Sequence, residues 1–277
     1  MALMRCGKFQ LSLDRPLVMG IVNLTPDSFS GDGLAADTTR AVAHAHAQIE
    51  AGADMLDLGA ESTRPGAQPA TAAEELERLL PLLKSLRDCG VPLSVDTYKP
   101  EVMAAALDAG ADMINDIAAL SHPGAVEVVA RSQCGICLMH MQGEPRTMQQ
   151  QPVYTDVVRE VRDFLSQRVR AVTAAGIAPE RLVLDPGFGF GKTLEHNLEL
   201  LRRLPETGVN GLPILAGMSR KTMLGAITGK PVEDRVAASV AAHLQAACRG
   251  ALILRVHDVA ALRDALAVWG AVAPWEL

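Results

Sequence analysis

Short apolar runs that stop at a polar residue recur along the chain roughly every thirty positions, and this rhythm limits the fold more than any other feature. The runs are 17–22, 55–58, 92–95, 112–115, 135–139, 182–184, 213–216 and 251–255. Their unbroken apolar character predicts strands buried on both faces, as in a parallel sheet. Helical patterns fill the gaps. In 155–176 the side chains of Val158, Val161, Leu165, Val169 and Val172 mark one face. In 258–270 Asp258 is placed to cap, with Val259, Leu262, Leu266 and Trp269 at helical spacing. The stretch 74–86 reads as a helix that Pro81 should kink. An internal echo, "AGADMLDLG" from Ala51 and "AGADMINDI" from Ala109, places two helix ends and two strands 58 positions apart, about two strand–helix units.

About eight such units in about 260 residues predict a closed α/β barrel of the (β/α)8 TIM type, as a single domain over 1–277. An open doubly wound sheet is the rival, but no dinucleotide fingerprint supports it. Phe9, Leu11 and Leu13 alternate ahead of the first run, which predicts a short N-terminal β-hairpin plugging the barrel's bottom. Aromatic residues are scarce, so the core must be built from Val, Leu, Ile, Met and Ala.

The formal net charge of −6 argues against a nucleic-acid partner, and it requires any anionic substrate to find a local basic cluster. No run of about 18 apolar residues is present, so no membrane span is expected. Charges occupy the N-terminal segment where a secretion signal would need its apolar stretch. With an odd count of five Cys, this points to reduced thiols and a cytoplasmic setting. Cys134 and Cys137 form a C-x-x-C, but neither a second such pair nor a helix after the first Cys accompanies it. Two small apolar residues entering a strand are the simpler explanation.

"LVLDPGFGFGKT", 182–193, imitates a nucleotide-binding loop. Gly191-Lys192-Thr193 closes that motif correctly, but Pro186 stands where the first Gly is needed. Pro offers neither the N–H nor the backbone freedom of that glycine. What remains is a strand ending in Asp185.

The other runs end likewise. They lead to Asn23, to Glu61–Arg64, to Asp96, to Asn115-Asp116, to His140, to Ser219-Arg220-Lys221, and to Arg255 with His257. In barrels of this type the C-terminal ends of the strands carry the chemistry, so these positions predict one convergent polar site. Each residue alone would pass for a cap or a turn; eight polar strand ends together would not. Paired acids, Asp96 and Asp185, invite a hydrolase assignment. Carboxylates also accept paired N–H donors, which suits an amino-heterocycle. Arg64, Arg255 and His257 suit phosphate oxygens, and Lys221 suits a second anion or a ring acceptor. The segment from Ser219 to Thr222 opens a helix, which favours an anion. His44 and His46 lie two apart on a helix and cannot share a metal. His122, His196 and His243 have no ligand-spaced partners. The Ala-rich "RVAASVAAHLQAA" suits close helix packing or a dimer face.

Taken in order, "MGIVNLTPDSFS", "GAESTRPG", "SVDTYK", "INDI", "MHMQGEPRTMQ", "DPGFGFGK", "GMSRKTMLG" and "LRVHDV" resemble the successive signatures of the dihydropteroate synthases, from Leu17 to Ala267. Ala60, where Gly is common, and "SGDG" at 30–33 are small departures in loops. The resemblance implies a transferase of folate biosynthesis, usually homodimeric and the target of sulfonamides. It implies that 4-aminobenzoate is joined to 7,8-dihydropterin-6-ylmethyl diphosphate with release of pyrophosphate, Mg2+ assisting. By the same resemblance Asp96, Asn115, Asp185, Lys221 and Arg255 bind the pterin, with Asp96, Asp185 and Lys221 catalytic. Asn23, Arg64, Arg255 and His257 hold the diphosphate, Asn23 contacting the metal. Phe29, Thr63, Arg64, Pro65, Lys221 and Thr222 form the aminobenzoate pocket. Two rivals share the pterin acids: a methyltetrahydrofolate-dependent methyltransferase barrel and an inactive pterin-binding paralogue. The first needs neither "STRPG" nor "SRK", and the second should have lost Arg64 or Phe29.

Overall fold

The computed structural model describes residues 3–24, 38–62 and 68–272. It opens with a hairpin, β1 Leu3–Cys6 and β2 Phe9–Ser12, paired antiparallel and separate from the main sheet. Eight parallel strands follow. They are β3 Leu17–Asn23, β4 Met55–Gly59, β5 Leu93–Asp96, β6 Met113–Asp116, β7 Gly135–Met139, β8 Leu182–Asp185, β9 Ile214–Ala216 and β10 Ala251–Val256. They pair in sequence order, and β10 pairs with β3 to close the barrel. Each bound lies within one residue of the run read from the sequence. Among the described residues the helices are α1 Thr38–Glu50, α2 Ala72–Leu86, α3 Pro100–Asp108, α4 Ala125–Ala130, α5 Val157–Ala174, α6 Leu194–Arg202, α7 Thr222–Thr228, α8 Val236–Ala247 and α9 Val259–Val272. None of them is long and apolar enough to cross a membrane.

The period of two sorts each strand's side chains between two cores. Val18, Leu56, Val95, Ile114, Leu138, Leu184, Ala216 and Leu254 face outward and pack under the helices. Met19, Met55, Met113, Cys137, Val183, Leu215 and Ile253 face the barrel axis. Flexible methionines suit the irregular space inside a tapering barrel. The hairpin closes the bottom as expected, but through the buried side chains Met4 and Cys6 of β1; Leu13 joins them, Leu11 is partly buried, and Phe9 contributes little.

The "AGAD" echo is a repeated joint. Ala53 N–H donates to Gln48 O and Asp54 N–H to Val18 O, and Ala111 and Asp112 repeat the pattern on Ala106 O and Leu93 O. Both carboxylates accept an N–H at the start of the neighbouring strand, Asp54 from Val18 at 2.7 Å and Asp112 from Leu93 at 3.1 Å. Asp112 also accepts Lys8 N–H, which ties the hairpin turn to the sheet.

Helix α2 contains Pro81 and continues past it. Pro81 and Glu77 lie on its exposed side, so water can take the Glu77 carbonyl that Pro81 leaves without a donor. A capping box of Thr71 and Glu74 secures the start of that helix. Asp258 does not cap α9 with its side chain; its carboxylate pairs with Arg220 instead. Cys134 and Cys137 are free, buried and on opposite sides of the sheet wall, one in each core. Burial pushes both thiols up, away from the reactive thiolate, as fits two core side chains.

Candidate active site

The alternation that places methionines in the lower barrel places polar groups at its C-terminal mouth. Two residues on from the inward Met55 comes Asp57, and two on from Met113 comes Asn115. Two on from Ser94, Val183 and Ile253 come Asp96, Asp185 and Arg255. Of these side chains, Asp96, Asn115, Asp185 and Arg255 line a cavity of about 550 Å3. Asn23, Asp96, Asn115, Asp185, Lys221, Thr222, Arg255 and His257 all line it, so every described residue assigned to the site by sequence converges there. Phe29, Thr63, Arg64 and Pro65 lie outside the described residues.

Arg255 is the hub. Its Nε donates to Asp57 Oδ2 at 2.5 Å and its second nitrogen to Asp96 Oδ2 at 2.9 Å. Burial opposes its charge, but Asp57 and Asp96 hold the guanidinium firmly protonated. Asp57 is fully buried and also accepts Asn115 Nδ2 at 3.1 Å. Sequence reasoning missed Asp57. The signal was present: the echo aligns Asp57 with Asn115, the two residues that touch. Burial pushes the Asp96 carboxyl up to about 7 against the pull of Arg255, with Asp57 adding like-charge repulsion. Burial likewise raises Asp185, while Lys221 and the Gly187 N–H oppose the rise.

On the opposite wall Asp185 Oδ1 accepts Gly187 N–H at 2.7 Å, and its second oxygen is left for a ligand. Lys221 Nζ donates to Phe188 O and lies 4.6 Å from the centre of the Phe190 ring. Burial lowers the Lys221 ammonium to about 8. Thr222 is exposed at the first position of α7, where backbone N–H groups lack helical partners. His257 was expected as a cation. Burial, then Arg255 and Arg220, drives it well below its ordinary value, so the imidazole is neutral, with Nδ1 2.9 Å from Ser219 Oγ.

Several polar strand ends serve the scaffold instead. Asp116 faces away from the axis and accepts the N–H groups of Ala118 and Leu120. Glu61 is held by Tyr98 and Lys99, and Lys99 also pairs with the buried Glu75. Arg220 pairs with Asp258. Among the described residues no cluster of three His, Cys, Asp or Glu could cage a metal. Mg2+ keeps most of its waters and needs few protein ligands, so one or two hard oxygens at the cavity mouth fit such an ion. Asn23, ending β3 at the cavity wall, supplies one hard amide oxygen there.

The family model for "Pterin binding enzyme" matches residues 19–257, spanning all eight barrel strands. The chain belongs to the dihydropteroate synthase family. A dihydropteroate synthase of Neisseria meningitidis serogroup B is 51% identical over 275 residues, covering 97% of this chain and 96% of the relative. The crystal structure of Burkholderia cenocepacia dihydropteroate synthase complexed with 7,8-dihydropteroate is 54% identical, with a TM-score of 0.90 over 98% of this chain and 96% of that one. The Xanthomonas albilineans dihydropteroate synthase with 4-aminobenzoic acid is 53% identical, with a TM-score of 0.91 over 98% of both chains. As a member of the dihydropteroate synthase family the chain is a transferase, and its polar barrel mouth belongs to a pterin-binding fold.

Proposed function

We propose that this chain joins 4-aminobenzoate to 7,8-dihydropterin-6-ylmethyl diphosphate, giving 7,8-dihydropteroate and pyrophosphate, and that the residues above divide the work. One observation carries the assignment. Asp96, Asn115, Asp185, Lys221 and Arg255 meet in a single cavity, in a fold that the Burkholderia enzyme uses around 7,8-dihydropteroate. Asp185 accepts the paired N–H edge of the pterin through its uncommitted oxygen, and Asn115 Oδ1, buried without a partner, accepts a further ring N–H. Lys221 donates to the ring. Arg255, braced by Asp57 and Asp96, presents its guanidinium to the pterin face, and with His257 and Arg64 it receives the diphosphate. Thr222 and the start of α7 receive the aminobenzoate carboxylate, with Phe29, Thr63 and Pro65 shaping that pocket.

Pyrophosphate departs first and leaves positive charge on the pterin methylene. Asp96 and Asp185, which line the cavity, stabilise that charge, and the neutral arylamine then attacks. No enzyme nucleophile is required. Asn23, which lines the cavity, would hold magnesium through its amide oxygen, and the ion would supply positive charge to the departing pyrophosphate. The protein acts in the cytoplasm as a homodimer. Ile227 on α7 and Val268 and Val272 on α9 are exposed apolar side chains flanking the Ala-rich α8, which supports a partner on that face. Pyrophosphate release from the two substrates, measured with and without Mg2+, tests the activity. No release from either mixture, with a folded protein, would overturn it.

A further inference from the structure

The loop that imitates a nucleotide site keeps its lysine, and that lysine has no substrate role above. Lys192 is buried, at 2% exposure. Its Nζ lies 2.9 Å from Gly187 O, 2.9 Å from Phe190 O and 3.0 Å from His140 Nδ1. His140 O lies 3.4 Å away as a fourth acceptor, so the ammonium, which burial lowers to about 7, spends its three N–H bonds on the loop and on His140. In a phosphate loop the lysine reaches outward to its ligand; here it turns inward onto its own backbone. Burial and the neighbouring Lys192 drive His140 down to about 2, so the imidazole is neutral and its Nδ1 can accept.

The loop's other attachments lead to the ligand. Gly187, whose carbonyl Lys192 holds, donates its N–H to Asp185. Phe190, whose carbonyl Lys192 also holds, sets its ring beneath Lys221, and Phe188 O accepts from Lys221. Two ammonium groups therefore grip one short loop, and only Lys221 has a face left for a ligand. Tyr154 Oη adds a third tether, donating to Gly191 O at 2.8 Å.

We propose that Lys192 is a positioning residue for pterin recognition: it fixes the backbone of 187–190 so that Asp185 and Lys221 meet the pterin together. The proposal rests on the function assigned above. The test is binding of 7,8-dihydropteroate to the full-length wild type and to K192M, K221M and the double variant, with thermal melts and steady-state kinetics on each. K192M should weaken binding about tenfold or more and raise KM for the pterin substrate more than it lowers kcat. The losses in K192M and K221M should be non-additive, because Lys192 acts through the loop that seats Lys221. Tyr154→Phe carries the test if K192M does not fold. It should weaken binding about two- to threefold with little change in Tm. Unchanged binding in K192M or, failing its folding, in Y154F would overturn the proposal. So would losses in K192M and K221M that simply add. Failure of the wild type to bind would instead overturn the functional assignment, and this inference with it.

Discussion

Replacing Gly187 with Ala tests the link between backbone shape and ligand recognition directly. Gly187 has φ +71°, and a methyl group there would lie 3.0 Å from the carbonyl carbon of His140 and overlap its oxygen. Carbon–carbon contact is comfortable from about 3.5 Å, so the β7 and β8 loops would have to separate by roughly an ångström at this point. The obstacle is backbone on both sides, and no rotamer change relieves it. The left-handed conformation costs an alanine about 1–2 kcal/mol. Separation also strains the Gly187 N–H bond to the Asp185 carboxylate, 2.7 Å, and the Lys192 bond to Gly187 O, 2.9 Å. Losing one bond to a charged group adds about 1.5–3 kcal/mol. The expected total is about 3–5 kcal/mol, or a fall in Tm of roughly 10 °C for a chain of this size. Dihydropteroate affinity should fall more than tenfold, since Asp185 loses its orienting donor. Gly176→Ala is the control. Gly176 has φ +87° with nothing within 4 Å, so it pays only the conformational cost, about 1–2 kcal/mol, and binding should be unchanged. Melts by calorimetry and binding by titration read both variants. If Gly187→Ala melted and bound like Gly176→Ala, close approach to His140 would not be why glycine stands there.

Asp57→Asn should keep its contacts, because one amide oxygen can accept from both Arg255 and Asn115 as Asp57 Oδ2 does. It removes the like charge beside Asp96, so the acid limb of kcat/KM, expected near pH 7, should move down by roughly one unit in a pyrophosphate-release assay. Asp96 also makes stability depend on pH: its folded value, about 7, lies above the ordinary aspartate value of 3.8, so the folded state binds the extra proton and stability falls as pH rises through that window. Tm should therefore drop between pH 5.5 and 7.5, and the drop should be smaller in Asp96→Asn; an equal drop would refute the assignment. Arg181→Leu, at the opposite end of the barrel, strips donors from Cys134 O and Val129 O. It should destabilise the protein by about 3 kcal/mol with kcat and KM of the folded enzyme unchanged.

What the sequence made legible was whatever a period reveals. Eight apolar runs and their polar ends fixed the strand count, the bounds to within a residue, and the rim of the cavity. Asp185, Asn115 and Arg255 stood out because each closes a run. Asp57 did not, because it sits inside one, and a carboxylate amid "MLDLG" makes sense only once β4 is known to lie between β3 and β5 with Arg255 reaching over. Lys192 was hidden for a different reason. Its motif suggests a ligand-facing lysine, while its partners are backbone carbonyls whose positions depend on two glycines and on His140 from another strand. Asp258 shows the limit of local rules: an ion pair outcompeted a cap.

The buried charges explain why the barrel tolerates so costly a centre. Asp57, Asp96 and Arg255 are all pulled from water, and burial is the leading opponent of charge at both Asp96 and Arg255. Apolar residues of similar volume would pack there as well and stabilise the apoprotein. What they could not do is hold a guanidinium at a fixed angle over the cavity while keeping two carboxylates short of full neutralisation. Above about pH 7, where Asp96 is ionised, one cation shared between two acids leaves the cluster one negative charge in excess, beside Asp185 and across from Lys221. That surplus is what a developing positive charge on a bound pterin would meet, already oriented by Arg255.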